Sequence, residues 1–120
     1  MTAEEYVSGI RYEDSISRGI HPIDMHASKG TKQLRVDLEQ PAYVPYRALI
    51  APDYPNLLVA GRCISADRQA LASLRVMASC MGTGQAAGAA AAQSLKEGGD
   101  VRSIDTARLV DTVRGLGAII

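Results

Sequence analysis

The sequence contains no phenylalanine and no tryptophan, and five tyrosines are its only aromatic residues. Alanine supplies much of the 47% hydrophobic fraction, and each small side chain removes little apolar area from water. With 120 residues and few bulky side chains, the chain is expected to form one small domain, or part of a larger domain whose core is completed by a partner surface.

An excess of charge of either sign is also lacking, because 13 basic residues balance 13 acidic ones. We therefore expect no nucleic acid and no anionic membrane as partner. The first residues, MTAEEYVSG, lack the basic and apolar regions of a secretory signal, which predicts a cytoplasmic protein. The uncharged stretch 76–95 is long enough to cross a bilayer, but its Gly, Ser and Gln residues favour a buried helix.

Cysteine and histidine are too scattered to predict a metal site. Cys63 and Cys80 fit no zinc spacing, and we interpret both as reduced, buried thiols. His21, Asp24 and His26 form an H-x-x-D-x-H pattern, but no further ligand cluster supports it, so no metal is predicted. For Asp24 and His26 the sequence leaves two alternatives, an active-site role or ordinary loop hydrogen bonding.

Two helices have predicted ends. Thr2 and Glu5 have the spacing of a capping box, which predicts a short helix that stops at Gly9. Asp105 is the expected N-cap of a last helix over about 106–114. The apolar stripe of that helix consists of Leu109, Val110, Val113 and Leu116.

Extended segments are predicted from alternation and apolar runs. Residues 33–39 alternate as a half-buried strand, and residues 43–50 form a second extended run that could pair with it as a hairpin. The apolar run 57–60 ends at Gly61 and is typical of a strand covered on both faces. Residues 12–30 show no sustained period and are expected to form a loop with at most one short strand.

A loop over about 62–72 and a long helix rich in small residues are predicted to follow, with the helix starting within 73–77. In α/β proteins, ligands bind at the carboxyl ends of strands, next to helix N-termini. The unpaired amides and partial positive charge of this terminus favour an anion or a carbonyl group. From the residues alone, a tightly packed helix without a ligand is the alternative.

The fold class predicted from these elements is α/β, as an α+β fragment. A small β-hairpin or sheet region is followed by a strand–loop–long helix unit and a C-terminal helix. We expect residues 1–51 to form a substrate-side or cap region, and residues 52–120 to belong to a different unit of α/β type.

The amino-acid sequences of three segments are more informative about function than their hydrophobic periodicity. NLLVAGRCISA (56–66), ALASLRVM (70–77) and CMGTGQAAG (80–88) closely resemble the C-terminal region of bacterial FAD-dependent oxidoreductases of the fumarate-reductase-like and glutathione-reductase-like superfamily. The resemblance continues more weakly upstream through 14–16, 22–26 and 44–49, and downstream through 105–117. It implies that residues 52–120 are the C-terminal part of an incomplete FAD-binding domain.

The resemblance also implies cofactor-binding residues. In such enzymes, the start of the long helix faces the pyrimidine edge of the flavin. The matching positions here are Ser73, Leu74, Arg75, Val76 and Met77.

Two further positions match the place where the family's last strand approaches the ribityl chain, namely Gly61 and Arg62. Many relatives carry an acidic residue after that glycine, so we expect Arg62 to contact phosphate or substrate instead. On the substrate side, Arg47 matches a position that could clamp a carboxylate or lie beside the flavin, with Asp24 and His26 as further catalytic candidates. A surface strand cation is the alternative for Arg47.

The dinucleotide fingerprint is absent from the sequence. Gly82, Gly84 and Gly88 only imitate it inside a helical run. In the related enzymes an N-terminal βαβ unit holds the ADP half of FAD. We therefore expect FAD and a small-molecule substrate to bind only together with an N-terminal FAD-binding portion, as for an excised domain, a split gene or a truncated frame. The alternatives are an interaction module that forms homo-oligomers and a remnant without activity.

Overall fold

The computed structural model describes residues 1–26 and 32–120. Over these ranges the fold is a mixed α+β fragment, as predicted. Within them it consists of four α-helices and two two-stranded antiparallel sheets. The helices are α1 (Ala3–Ser8), α2 (Arg68–Leu74), α3 (Met77–Ser94) and α4 (Thr106–Gly115). The strands are β1 (Ser15–Gly19), β2 (Ile23–Met25), β3 (Leu34–Val36) and β4 (Ala42–Pro45). Short 3-10 turns cover Tyr46–Leu49 and Gly61–Cys63.

The predicted helix caps are confirmed. In α1, the Thr2 hydroxyl accepts a hydrogen bond from the Glu5 amide at 3.2 Å, and the Glu5 carboxylate accepts one from the Thr2 amide at 2.7 Å. Gly9 ends the helix with a φ of 63°, in the left-handed region that glycine adopts without strain. Asp105 caps α4 by accepting from the Arg108 amide at 3.1 Å. The predicted apolar stripe of α4 is buried except for Leu116, which is 60% exposed.

The predicted strand pairing is wrong. β3 pairs with β2 and β4 pairs with β1, so the runs 33–39 and 43–50 belong to different sheets. The segment 12–30 is expected to contain one strand at most, but its described part, residues 12–26, supplies both partner strands. Residues 27–30 of this prediction lie outside the described residues.

The second predicted run is also shorter than expected, because the chain leaves the extended conformation at Tyr46. Burial and the nearby Asp100 raise the pKa of Tyr46 to about 12, which keeps the phenol protonated. Its hydroxyl donates to the Val101 carbonyl at 2.7 Å. This buried bond holds a 3-10 turn where the alternation predicted strand.

Two segments before α3 also differ from expectation. The apolar run 57–60 forms only one bridge, between Ile50 and Leu58, because no described strand flanks it on its other side. The predicted loop over 62–72 contains α2, whose N-cap Asp67 accepts a hydrogen bond from the Ala70 amide at 2.7 Å. An aspartate at this position is a local helix-start signal that the prediction of a loop did not take into account.

One core connects the two halves of the sequence. α3 packs against β1 and α4, and buried apolar residues come from both sides of position 51. Gly82 of α3 lies directly on Ser17 of β1, where an added Cβ would collide with the serine hydroxyl. In the described part of the chain, every helix falls short of the length and apolar character that crossing a membrane requires.

Candidate functional site

The start of α3 is confirmed within the predicted range, at Met77. Val76 is extended, with φ −73° and ψ 154°, and provides no side-chain cap. The first intrahelical hydrogen bond runs from the Cys80 amide to the Val76 carbonyl at 3.0 Å. The amides of residues 77–79 therefore have no hydrogen-bond acceptor within the helix. The side chain of Met77 beside them is 83% exposed. An uncapped helix start of this kind offers N–H donors and partial positive charge to an outside group.

The Gly61 turn is attached to this helix. The Gly61 amide donates to the Thr83 hydroxyl at 3.0 Å, and its φ of +62° is one that L side chains rarely adopt. A Cβ at Gly61 would lie 3.4 Å from the Cys80 sulfur. Glycine is therefore required here by its backbone conformation, since the added Cβ would make only van der Waals contact with α3. Arg62 follows it at the surface.

Ser73 and Leu74 lie just before the start of α3 with their side chains in the interior. The Ser73 hydroxyl donates to the Pro22 carbonyl at 2.7 Å, which joins α2 to the beginning of β2. The Leu74 carbonyl accepts a weak hydrogen bond from the Cys80 thiol at 3.8 Å. Both residues hold the α2–α3 junction in place, so only their backbone is positioned to meet a ligand.

A hollow of about 260 Å³ lies between β2 and α2. We call it the α2–β2 hollow. Its lining residues are Asp24, Met25, His26, Arg68, Leu71, Ala72 and Arg75. The structure thus brings Asp24 and His26 together with Arg75, next to the start of α3. Sequence reasoning missed Arg68, whose place on a helix became evident only with the N-cap at Asp67.

Arg47 lines two other hollows, of about 240 and 510 Å³, and is absent from the lining of the α2–β2 hollow. Its guanidinium lies 2.6 Å from the Asp14 carboxylate and 4.5 Å from the centre of the Tyr12 ring. The Tyr12 hydroxyl is buried without a hydrogen-bond partner among residues 1–26 and 32–120. Burial raises the pKa of Tyr12, and the nearby Glu5 carboxylate adds to the effect. Sequence reasoning missed Tyr12, for which no local signal exists.

Metal-ligand residues do not converge within the described ranges, where no group of three or more His, Cys, Asp or Glu could hold an ion. The His21 ring lies 2.8 Å from the Pro22 carbonyl, and the His21 carbonyl accepts from the Tyr6 hydroxyl at 2.9 Å. The cysteine prediction is wrong for Cys63, whose side chain is exposed at the surface turn, while Cys80 is half-buried.

Comparison with known proteins gives one match. The model of a family described as FAD dependent oxidoreductase matches residues 1–113. No curated protein and no solved structure matches the sequence. The family match spans the Gly61 turn, the α2–β2 hollow and the whole of α3, and it implies FAD as the cofactor.

Proposed function

Since the chain belongs to the FAD dependent oxidoreductase family, we propose that it supplies the helix start that faces the flavin, together with part of the substrate side. The uncapped first turn of α3 is the observation that carries this proposal. It offers the amides of residues 77–79 beside an exposed Met77, and the N-cap residue Val76 has no side chain that caps them. The division into a substrate side (1–51) and the C-terminal part of an FAD-binding domain (52–120) is part of the same proposal.

The residues at this helix start fit a flavin ring. FAD, when bound, supplies the ring that takes up and gives out electrons. Reduction places negative charge near N1 and the C2 carbonyl, and a helix N-terminus carries roughly half a positive charge. The amides of residues 77–79 would stabilise that charge without reorganising, because the helix fixes their direction.

The neighbouring residues support this geometry. Ser73 and Leu74 fix the α2–α3 junction through their bonds to Pro22 and Cys80. The Gly61 turn is held against α3 by its bond to Thr83, which leaves Arg62 exposed at the edge where phosphate or substrate would approach. In this proposal Asp24, His26 and Arg75 face the substrate through the α2–β2 hollow. The predicted role of Arg47 as a carboxylate clamp stays a prediction.

A single proline substitution tests whether the amides at the start of α3 face the flavin. Proline is favoured at the first position of a helix, and Val76 already has the extended backbone that a following proline requires. Met77→Pro therefore deletes one amide while preserving α3. Thr106→Pro at the first position of α4 is the matched control. In the FAD-loaded assembly we expect Met77→Pro to lower the flavin reduction potential and Thr106→Pro to leave it unchanged. Equal potentials in wild type and Met77→Pro would overturn the proposal.

We further propose that an N-terminal FAD-binding portion, in the same or a separate chain, covers the outer face of α3. This face carries the exposed residues Met77, Met81 and Leu95. It also carries Gly84 and Gly88, where an added Cβ would meet nothing within 4 Å. A helix face this apolar and this flat suits close packing against another element.

Reconstitution tests this dependence. The chain is purified alone and with an N-terminal portion taken from another family member, and bound flavin is quantified by absorbance. We expect flavin only in the mixture, with Met81→Glu abolishing it and Ile20→Glu, on an exposed residue of the β1 end, having no effect. One equivalent of flavin on the isolated chain would contradict the need for the partner.

Self-association is a second candidate function, favoured by the same exposed face of α3. It predicts a stable, flavin-free homo-oligomer that is indifferent to any N-terminal portion and is dissociated by Met81→Glu. Sedimentation of the isolated chain distinguishes the two, because the oxidoreductase proposal expects the added portion to displace any oligomer.

A further inference from the structure

The surface of α2 in the α2–β2 hollow has an arginine at each end. Arg68 and Arg75 are seven positions apart in the sequence, or about two helical turns, so both lie on the same side of the helix. Leu71 and Ala72 lie between them and form an apolar floor. Met25 adds a further apolar contact from β2.

The guanidinium groups of Arg68 and Arg75 form no ion pair among residues 1–26 and 32–120. The same holds for Arg11, Arg18 and Arg62, whereas the guanidinium groups of five other arginines form ion pairs. Those five are Arg35, Arg47, Arg102, Arg108 and Arg114. The Arg75 Nε donates to the Ala72 carbonyl at 3.3 Å, which anchors the side chain along the hollow. The other N–H groups of the Arg75 side chain make no hydrogen bond to the described residues.

The one carboxylate in the lining is already engaged on its other side. Asp24 accepts a hydrogen bond from the Gln33 amide group at 3.1 Å and stands opposite Arg35 in the β2–β3 register. Two arginines therefore line the hollow against one carboxylate, which also accepts a hydrogen bond from Gln33. The excess charge in the hollow is positive.

We propose that the α2–β2 hollow binds the carboxylate of a small organic acid, and that such acids are the substrate class of this protein. Guanidinium forks match the planar, two-oxygen geometry of a carboxylate. The floor of Leu71, Ala72 and Met25 provides an apolar surface for the carbon body of the acid. A volume of about 260 Å³ suits a small molecule. The binding site stands on its own, while the substrate assignment rests on the proposed oxidoreductase function.

The experiment is a titration of the isotope-labelled 120-residue chain, without flavin, followed by amide chemical shifts. The probes are butyrate, its neutral analogue 1-butanol, and inorganic phosphate. We expect butyrate to shift the signals of residues 24–26 and 68–75 saturably, and 1-butanol to leave them in place. Arg68→Gln and Arg75→Gln should each weaken butyrate binding about ten-fold, since each removes charged hydrogen bonds. Arg18→Gln, at an exposed arginine on β1 outside the hollow, should bind as the wild type does.

Conservative variants separate binding from folding. Arg68→Lys keeps the charge without the fork and should bind butyrate with intermediate affinity, and the same spectra report whether each variant is folded. Absence of saturable shifts, or phosphate binding that matches and competes with butyrate, would overturn the organic-acid assignment. Butyrate binding by a protein whose reconstituted assembly takes up no flavin would keep the binding site and remove the substrate role. Flavin uptake without butyrate binding would overturn the organic-acid site and leave the proposed oxidoreductase function in place.

Discussion

The Gly61 amide and the Thr83 hydroxyl, 22 positions apart, form a 3.0 Å hydrogen bond that fixes the glycine turn against α3. Thr83 is buried, and its oxygen lies within hydrogen-bond distance of the Ser79 and Cys80 carbonyls, so the hydroxyl can donate to the helix while accepting from Gly61. The turn and the helix start are thus held as one unit.

Replacement of Thr83 tests this connection. Thr83→Val keeps the shape of the side chain but removes the acceptor, which leaves the Gly61 amide without its partner. We expect a loss of about 1–3 kcal/mol in the free energy of unfolding, measured in urea. Thr83→Ser retains the hydroxyl and should lose less. Equal stability of Thr83→Val and wild type would show that the bond does not hold the turn.

Two glycines of α3, two positions apart, are predicted to respond in opposite directions. A Cβ on Gly82 would collide with the Ser17 hydroxyl, whereas a Cβ on Gly84 would meet nothing within 4 Å. Gly82→Ala should therefore destabilise the chain by about 1–3 kcal/mol through overpacking. Gly84→Ala should stabilise it by about 0.5–1 kcal/mol, because alanine favours the helix.

A double variant identifies the cause of the Gly82 effect. Ser17→Ala removes the hydroxyl that the new Cβ would meet, so the Gly82→Ala penalty should shrink in its presence. Thermal unfolding of the four proteins of this cycle gives the interaction energy. Full additivity of the two substitutions would contradict a direct Gly82–Ser17 contact.

Local sequence signals predicted most helix ends, because the residues that cap a helix lie close to one another in the sequence. The capping box at Thr2 and the caps at Gly9 and Asp105 each involve residues within a few positions of one another. The start of α3 was also predicted to within a few residues. α2 was missed, although its N-cap Asp67 is a local signal, because residues 62–72 were interpreted as a loop.

Strand pairing and the hollow could not be predicted from local patterns. The partners of β3 and β4 lie in residues 12–30, where the strands are short and one of them is only partly apolar. Because β2 forms one wall of the α2–β2 hollow, missing β2 also meant missing the arrangement of Asp24 and His26 around Arg75. The Arg47–Tyr12–Asp14 cluster depends on the same distant contacts.

Arg47 is predicted to stabilise the fold whatever its catalytic role. It pairs with Asp14, whose side chain is only 15% exposed, and it lies over the Tyr12 ring. Arg47→Ala should cost about 1–2 kcal/mol, because it leaves a partly buried carboxylate unpaired and removes the cation–π contact. Arg35→Ala breaks an exposed pair with Asp37 and should cost less than Arg47→Ala, because solvent screens the pair. Unchanged unfolding in urea for Arg47→Ala would leave only a ligand-directed role for this residue.

The Asp67 carboxylate, which joins α1 to α2, should make the stability of the fold sensitive to acid. Its carboxylate accepts from the Ala70 amide and from the Ala3 amide, each at 2.7 Å. These bonds, that from Ala70 foremost, lower the pKa of Asp67 from its ordinary value of 3.8. A carboxyl group with a lower pKa in the folded state stabilises the fold at pH values above 3.8, and this contribution is lost as the pH falls through the folded-state pKa.

Asp67→Asn should therefore make the free energy of unfolding depend less steeply on pH in the acid range. The amide oxygen of asparagine still accepts from one backbone amide, so the helix cap survives, but no charge remains to titrate. In urea unfolding over a pH series, we expect wild type to lose more stability than Asp67→Asn below pH 3.8. Asp53→Asn changes an exposed residue that makes no hydrogen bond in the described ranges, so it should follow wild type. If the free energy of unfolding falls equally with pH in wild type and Asp67→Asn, the charge of this carboxylate does not contribute to the link between α1 and α2.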